Sequence, residues 1–261
     1  MKVVILAGGL GTRLGEETGI KPKPMVTIGN KPILWHIMKI YSYYGFDDFI
    51  ILTGYKHEVI KEYFLNYFSN NSDLTINLSN NEIEVNSCRS EKWKVTICYT
   101  GKNSMTGSRI KQIKKYINGE SFLLTYGDGV SDVNINELIK FHKKNGKLCT
   151  LTAVQPEGRF GVLKITGDCS VCDFSEKPKN DDTWINSGFF VCESGVFDYI
   201  DDGIDAVWES SALSALAREG QLNAFKHFGF WRPMDMLKDK EDLNKIWESG
   251  EAPWAIWDKV I

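Results

Sequence analysis

The run Lys2–Ala7, KVVILA, is apolar from Val3 onward without alternation and stops at Gly8 and Gly9. Successive strand side chains point to opposite faces, so a strand with no polar position must be buried on both. Such a strand needs helices above and below it, and the chain supplies them by alternating. Lys31–Tyr44 is predicted as a helix, with Asn30 as its cap and Pro32 in its first turn. Its apolar stripe is Ile33, Ile37, Ile40 and Tyr44, and Gly45 stops it. Strand Asp48–Thr53 and helix Glu58–Phe68 repeat the unit. After a polar, Asn-rich stretch come helix Thr106–Ile117, strand Phe122–Tyr126, helix Asn134–Asn145 and strand Leu148–Val154. This order predicts an α/β fold, a mostly parallel Rossmann-like sheet with helices on both faces.

From Pro156 the texture changes to short β-like pieces, Val162–Ile165, Val171–Glu176 and Ile185–Cys192, then helices near Ala206–Arg218 and Leu237–Trp247. No linker, low-complexity tract or repeat divides the chain, so residues 1–261 are expected to form one domain, a core of 1–155 joined to a smaller β-rich portion, 156–261. In open α/β sheets ligands bind beyond the carboxyl ends of the strands. Gly8–Lys23 and Gly127-Asp128-Gly129 both fall there.

Charge and composition exclude several classes of partner. The net charge is −3 and the 31 Lys and Arg residues are scattered, which gives no grip on nucleic acid. No window approaches 18 unbroken apolar residues and the Lys2–Ala7 run is too short for a signal peptide, so no membrane contact is expected and the protein is read as cytoplasmic. Several of the six cysteines lie in apolar runs such as LCTLTAV and GFFVC, where a reduced thiol packs as a small hydrophobe. The pair Cys169-Ser-Val-Cys172 lacks a second ligand pair and is read as two ordinary thiols.

Gly8, Gly9 and Gly11 let the backbone turn tightly and present bare N–H groups, which suits phosphate oxygens. No Gly-Lys-Ser/Thr follows, and the third glycine of the dinucleotide pattern would fall on Leu14, so neither common phosphate motif is present. Arg13 instead offers a planar fork for two oxygens. Lys23 offers a compact charge held between Pro22 and Pro24. Two carboxylates lie near strand ends or aromatic approaches: Asp128, after Phe122-Leu-Leu-Thr-Tyr-Gly, and Asp235, after Gly-Phe-Trp-Arg-Pro-Met. Mg²⁺ takes one or two protein carboxylates and completes its shell with phosphate and water. Asp128 also suits a turn, and Asp235 a helix cap.

The motifs GGLGTRL…KPKPM, Tyr126-Gly-Asp-Gly129, Arg159-Phe-Gly161, Glu176-Lys-Pro178, Ile185-Asn-Ser-Gly-Phe-Phe190 and Phe230-Trp-Arg-Pro-Met-Asp235 run in one order over nearly the whole chain. Together they resemble the sugar-1-phosphate nucleotidyltransferases. Met105-Thr-Gly-Ser-Arg109 and the Trp-rich C-terminus resemble the cytidylyl branch. The resemblance implies that CTP lies over Leu6, Ala7, Gly8, Gly9, Gly11 and Thr12, and that a phosphate oxygen of glucose 1-phosphate attacks its α-phosphorus in line. CDP-glucose and pyrophosphate would result. Arg13 would hold the β/γ phosphates, Lys23 the α-phosphate and the sugar phosphate, and Asp128 with Asp235 the Mg²⁺. On the acceptor side, Glu176 would meet sugar hydroxyls, Lys177 the sugar phosphate, and Asn186 with Gly161 would line the pocket. Residues 1–155 would carry the nucleotide and 156–261 the acceptor.

Cytosine has one amino donor beside two acceptors. Carbonyls near Leu6–Gly8 are expected to accept from the amino group, with Thr106 or Arg109 donating to O2 and N3; a solvated place on its helix is the alternative for Arg109. The family usually has Gly-Gly after the pocket Asn, where this chain has Ser187-Gly188, and Glu-Pro-Leu where it has Ser211-Ala212-Leu213; both departures concern the acceptor. Two other readings stay open, a different phosphorylated acceptor and a catalytically silent nucleotide-binding subunit. The tail Ala252–Trp257 is expected to expose aromatic surface on a monomer, and the resemblance implies a homo-oligomer, a hexamer among the forms.

Overall fold

In a computed structural model, the structure describes residues 1–156, 162–167, 170–175 and 183–258. Seven strands form the central sheet: β1 (Val3–Ala7), β2 (Asp48–Thr53), β3 (Lys94–Tyr99), β4 (Phe122–Tyr126), β5 (Cys149–Val154), β6 (Ile185–Cys192) and β7 (Leu222–Lys226). Their order across the sheet is β7-β5-β6-β4-β1-β2-β3. Only β6 runs against its neighbours β4 and β5; the β1/β2, β1/β4, β2/β3 and β5/β7 pairs are all parallel. The sheet is therefore the mostly parallel one expected, and β6 and β7, from beyond residue 156, complete it.

β1 explains why both faces are covered. Val3, Ile5 and Ala7 pack into a core with Ile33, Ile37 and Tyr41 of helix α1 (Ile33–Tyr43). Val4 and Leu6 enter a second core with Ile110, Ile113, Phe197, Trp208 and Leu216. Each such buried aliphatic side chain contributes roughly 1.5–3 kcal/mol, and neither face tolerates a polar residue.

After β1 the chain proceeds to β2 and β3 on one side, then returns to place β4 on the other side of β1. A reversal of this kind opens a crevice at the carboxyl ends of the two strands. The loops that leave β1 and β4, Gly8 onward and Gly127-Asp128, border it.

Helix boundaries differ from expectation where tertiary pairing intervenes. Lys31 and Pro32 are extended and pair with Ile28 and Thr27 across the Gly29-Asn30 turn, so α1 starts at Ile33 and Asn30 does not cap it. The helix that follows β2, α2, covers His57–Leu65, with a further turn at Tyr67–Asn70. The predicted helix Thr106–Ile117 is two pieces, α3 (Thr106–Lys111) and Lys114–Ile117. Helix α4 (Ile135–Asn145) is capped by Asn134, whose Oδ1 accepts from Glu137 N–H at 3.1 Å. Before α5 (Leu213–Arg218) lies a π-helical turn, Trp208–Ala212. The last helix, α6, covers Leu237–Glu248.

The C-terminal tail corrects a second expectation. Trp254 is fully buried, stacked 5.4 Å from Phe230 and 6.3 Å from Trp247. Trp257 meets Trp35 edge-on at 5.7 Å. The tail closes the chain's own core over α1, so it does not present the aromatic surface from which association was inferred.

Candidate active site

The glycine loop is shaped by groups that sequence reading did not single out. Gly11 has φ +65°, a left-handed conformation that strains an L side chain, and an added Cβ would lie 2.9 Å from Thr18. Thr18 is buried, and its Oγ1 reaches the carbonyls of Gly11 at 3.0 Å and Gly15 at 3.1 Å. Leu14 is also buried and plugs the turn from below, so Arg13 is turned outward. The Arg13 side chain is 76% exposed, with Nη1 3.7 Å from Asp235 Oδ2.

Lys23 behaves differently from Arg13. Pro22 is extended, Pro24 is buried, and the Lys23 side chain is only 14% exposed. Its Nζ donates to Asp128 Oδ2 at 2.6 Å and to Asp235 Oδ1 at 2.5 Å. Burial works against its charge, but the two carboxylates prevail and the pKa rises above the usual lysine value.

A short antiparallel ladder brings the two aspartates together. Gly129–Ser131 pairs with Trp231–Pro233 with Gly129 opposite Pro233, and Met234 N–H donates to Asp128 O at 2.8 Å. His227 Nε2, 2.9 Å from Asp132 Oδ1, ties the approach to the second strand back to the first. Asp235 does not cap α6. Asp239 accepts from the N–H groups of Asp235 at 3.0 Å and Met236 at 2.8 Å, which frees the Asp235 carboxylate for Lys23.

Arg109 corrects the sequence alternative of a solvated position, since it is only 4% exposed. Nη1 donates to Thr53 O (3.1 Å), Thr100 Oγ1 (2.7 Å) and Gly101 O (2.7 Å), and Nη2 to Gly8 O (3.0 Å) and Lys102 O (3.3 Å). Burial lowers its pKa, and these dipoles compensate its charge. An added Cβ on Gly8 would lie 2.3 Å from Nη1, so the first loop glycine is what admits the guanidinium. Both lone pairs of Gly8 O are taken, by Arg109 and by Tyr55 N–H at 3.3 Å, and Leu6 O accepts from Gly127 N–H at 2.9 Å.

These elements enclose a cleft of about 360 Å³. Leu6, Ala7, Gly8, Gly9 and Gly11 line it, as do Thr12, Arg13 and Lys23 from the loop and Thr106, Arg109, Asp128 and Asp235 from farther along the chain. Every residue expected to hold nucleotide or metal is therefore at one cavity. Pro24, Ser104, Met105, Tyr126 and Gly127 also line it; all but Ser104 stand in the motifs read from the sequence, which gave them no side-chain role of their own.

Of the expected acceptor residues, Gly161, Glu176 and Lys177 lie outside the described residues, as does Cys169 of the CxxC pair. Asn186 adjoins the cleft through Tyr126: its Nδ2 donates to Tyr126 OH at 3.2 Å, and its Oδ1 accepts from Gly188 N–H at 2.9 Å. Ser187 points inward, its Oγ donating to Thr152 O at 2.9 Å. Ser211 is half-buried and donates to Val207 O at 2.7 Å, and Ala212 is fully buried in the second core.

The donor set fits a divalent cation: the carboxylates of Asp128 and Asp235 already converge on one positive charge, the Lys23 ammonium, and a hard cation takes such a pair of oxygen donors beside phosphate and water.

The chain is similar in sequence and fold to known proteins. Residues 2–232 match the family model described as nucleotidyl transferase. The glucose-1-phosphate cytidylyltransferase of Salmonella typhimurium is 56% identical over 259 residues, 99% of this chain and 100% of that protein. A probable glucose-1-phosphate cytidylyltransferase of Bacillus subtilis is 45% identical, over 98% of this chain and 100% of that one. Among solved structures, HddC from Yersinia pseudotuberculosis superposes with a TM-score of 0.69 at 25% identity, over 94% of this chain and 99% of that one.

Proposed function

The chain belongs to the nucleotidyl transferase family, and on that premise we propose that it transfers a cytidylyl group from CTP to α-D-glucose 1-phosphate, giving CDP-glucose and pyrophosphate. The observation that carries the chemistry is Lys23 between Asp128 and Asp235 at the glycine cleft.

The attacking group is a phosphate oxygen, already ionised at neutral pH, so the protein needs no general base and forms no covalent bond. What it supplies is position and charge. The bare loop Gly8–Gly11 lets backbone approach the triphosphate. Arg13, exposed and free to swing, takes the β/γ phosphates that depart. Lys23 stays protonated because its two carboxylates raise its pKa, so it acts as a fixed charge at the α-phosphate and sugar phosphate rather than as a proton donor.

The family works with a divalent metal. We assign Mg²⁺, held by Asp128 and Asp235; when bound it would neutralise charge on the phosphate oxygens during transfer. On the acceptor side we assign Glu176 to sugar hydroxyls, Lys177 to the sugar phosphate, and Asn186 with Gly161 to the pocket wall. The retention of Arg13, Lys23 and both aspartates favours an enzyme over a silent binding subunit.

A homo-oligomeric state is part of the proposal. It is supported by a ribbon, Ser72–Asn77 paired with Glu82–Cys88, on which exposed Ile76 and Ile83 sit directly opposite each other. No helix among the described residues is long and apolar enough to cross a membrane. Buried Cys149 and Cys192 lie opposite on β5 and β6 with sulfurs 3.9 Å apart, as thiols, which suits the cytoplasm.

Pyrophosphate release measured for four nucleoside triphosphates against a panel of sugar phosphates tests the reading, with CDP-glucose identified by mass. CTP with glucose 1-phosphate is expected to give the highest kcat/KM. Turnover confined to another pair would refute the assignment.

A further inference from the structure

The wall of the cleft is divided by charge. Arg13, Lys23, Asp128 and Asp235 carry charge into it, whereas Ser104, Met105 and Thr106 form an uncharged stretch, and the nearby Arg109 guanidinium is spent on Thr100 Oγ1 and the carbonyls of Gly8, Thr53, Gly101 and Lys102. On the reading above, which this inference assumes, the triphosphate goes to the charges and the base to the uncharged wall.

The hydroxyls of that wall have fixed polarity. A hydroxyl has one proton and two lone pairs. Ser104 spends its proton on Thr100 O at 2.6 Å. Thr106 Oγ1 donates to Glu209 Oε2 at 2.6 Å and accepts from Trp208 N–H at 3.0 Å, which leaves one lone pair. Glu209 accepts at both of its oxygens. Its Oε1 already accepts from Tyr126 OH at 2.6 Å, and burial together with this carboxylate keeps the phenol protonated. Tyr126 OH in turn accepts from Asn186, so the chain of donors runs one way, from Asn186 to Glu209. Thr106 therefore does not donate to the base, contrary to the expectation from sequence.

We propose that Glu209 is a specificity residue for the base: by taking the Thr106 proton it leaves an acceptor in the cleft, which selects a pyrimidine with an amino group at C4 over one with a carbonyl. The amino group pairs with the remaining lone pair. A carbonyl there sets lone pair against lone pair and leaves both unpaired. Sequence gave no sign of this role, because Glu209 acts through a residue that meets it only in the fold.

The test is the ratio of kcat/KM for CTP to that for UTP at saturating glucose 1-phosphate, read by pyrophosphate release. Glu209→Gln gives Thr106 an N–H partner, so the hydroxyl can turn its proton toward the cleft, and the ratio is expected to fall about tenfold. Thr106→Val should lower the ratio by losing activity on CTP, while Thr106→Ser, which keeps the hydroxyl, should hold it within about twofold. Equal loss on both nucleotides in Glu209→Gln overturns the proposal, as does a wild-type protein that uses CTP and UTP equally. If Glu209→Gln does not fold, the Thr106 pair decides: an unchanged ratio in Thr106→Val overturns it. A wild-type protein that releases no pyrophosphate from CTP refutes the functional reading instead.

Discussion

Lys23 Nζ lies 2.6 Å from Asp128 Oδ2, and the same nitrogen reaches Asp235. The two carboxylates would repel across the cleft without it. One ammonium thus bridges the two candidate metal ligands at the mouth of the glycine loop.

The carboxylates are expected to be separable from the fold. Each contributes its side chain to the cleft while backbone bonds hold the ladder, so Asp128→Asn and Asp235→Asn should lower turnover by roughly 10²-fold or more with thermal unfolding little changed. Steady-state rates in saturating Mg²⁺ check this. Near-normal turnover would remove that residue from the metal site.

Lys23 and Arg13 should fail differently. Lys23 is held by two carboxylates and only 14% exposed, so Lys23→Ala should depress kcat more than it weakens CTP binding. Arg13 is exposed and has one distant ion-pair partner, and Arg13→Ala should damage kcat and CTP affinity together. An unchanged kcat with only a raised KM would reduce Lys23 to a docking charge.

Arg109 is expected to matter through shape. A lysine cannot reproduce its planar fork, and Arg109→Lys would leave several buried carbonyls with fewer donors. A loss of about 3 kcal/mol in unfolding free energy is expected, with a raised KM for CTP because Gly8 O loses its anchor. Urea unfolding within about 1 kcal/mol of wild type would sink the idea.

His36 gives the fold a pH dependence. It is fully buried, with Nε2–H toward Ile28 O at 3.0 Å and Nδ1 accepting from Trp254 Nε1–H at 3.4 Å. Burial pushes its pKa down to about 4, against hydrogen bonds that raise it. Between that value and the unfolded histidine's value of about 6.5, the unfolded chain binds the extra proton. Its contribution to stability is thus complete above pH 7 and is lost as pH falls, by about 2 kcal/mol between pH 7 and pH 5. His36→Gln should flatten that part of the slope, and an identical slope in the variant would exclude His36 as its source.

Local chemistry made much of this protein legible in its sequence. The unbroken apolar run of β1 could only be a strand covered on both faces, the glycines after it could only be a bare loop, and the prolines around Lys23 restrict its backbone whatever lies nearby. The reading was weaker where a group's role depends on what it meets. The pairing of Asp128 with Asp235 needs the Gly129/Pro233 register. The inward turn of Arg109 needs carbonyls from two loops, and the proton polarity of Thr106 needs Glu209. The tail tryptophans looked exposed because the pattern Ala-Pro-Trp-Ala-Ile-Trp has no amphipathic period, yet α1 and α6 supply the surface that buries Trp254. Sequence periodicity reports which face of an element is apolar, but hydrogen-bond direction and burial at a distance are set by partners that only chain closure brings within reach.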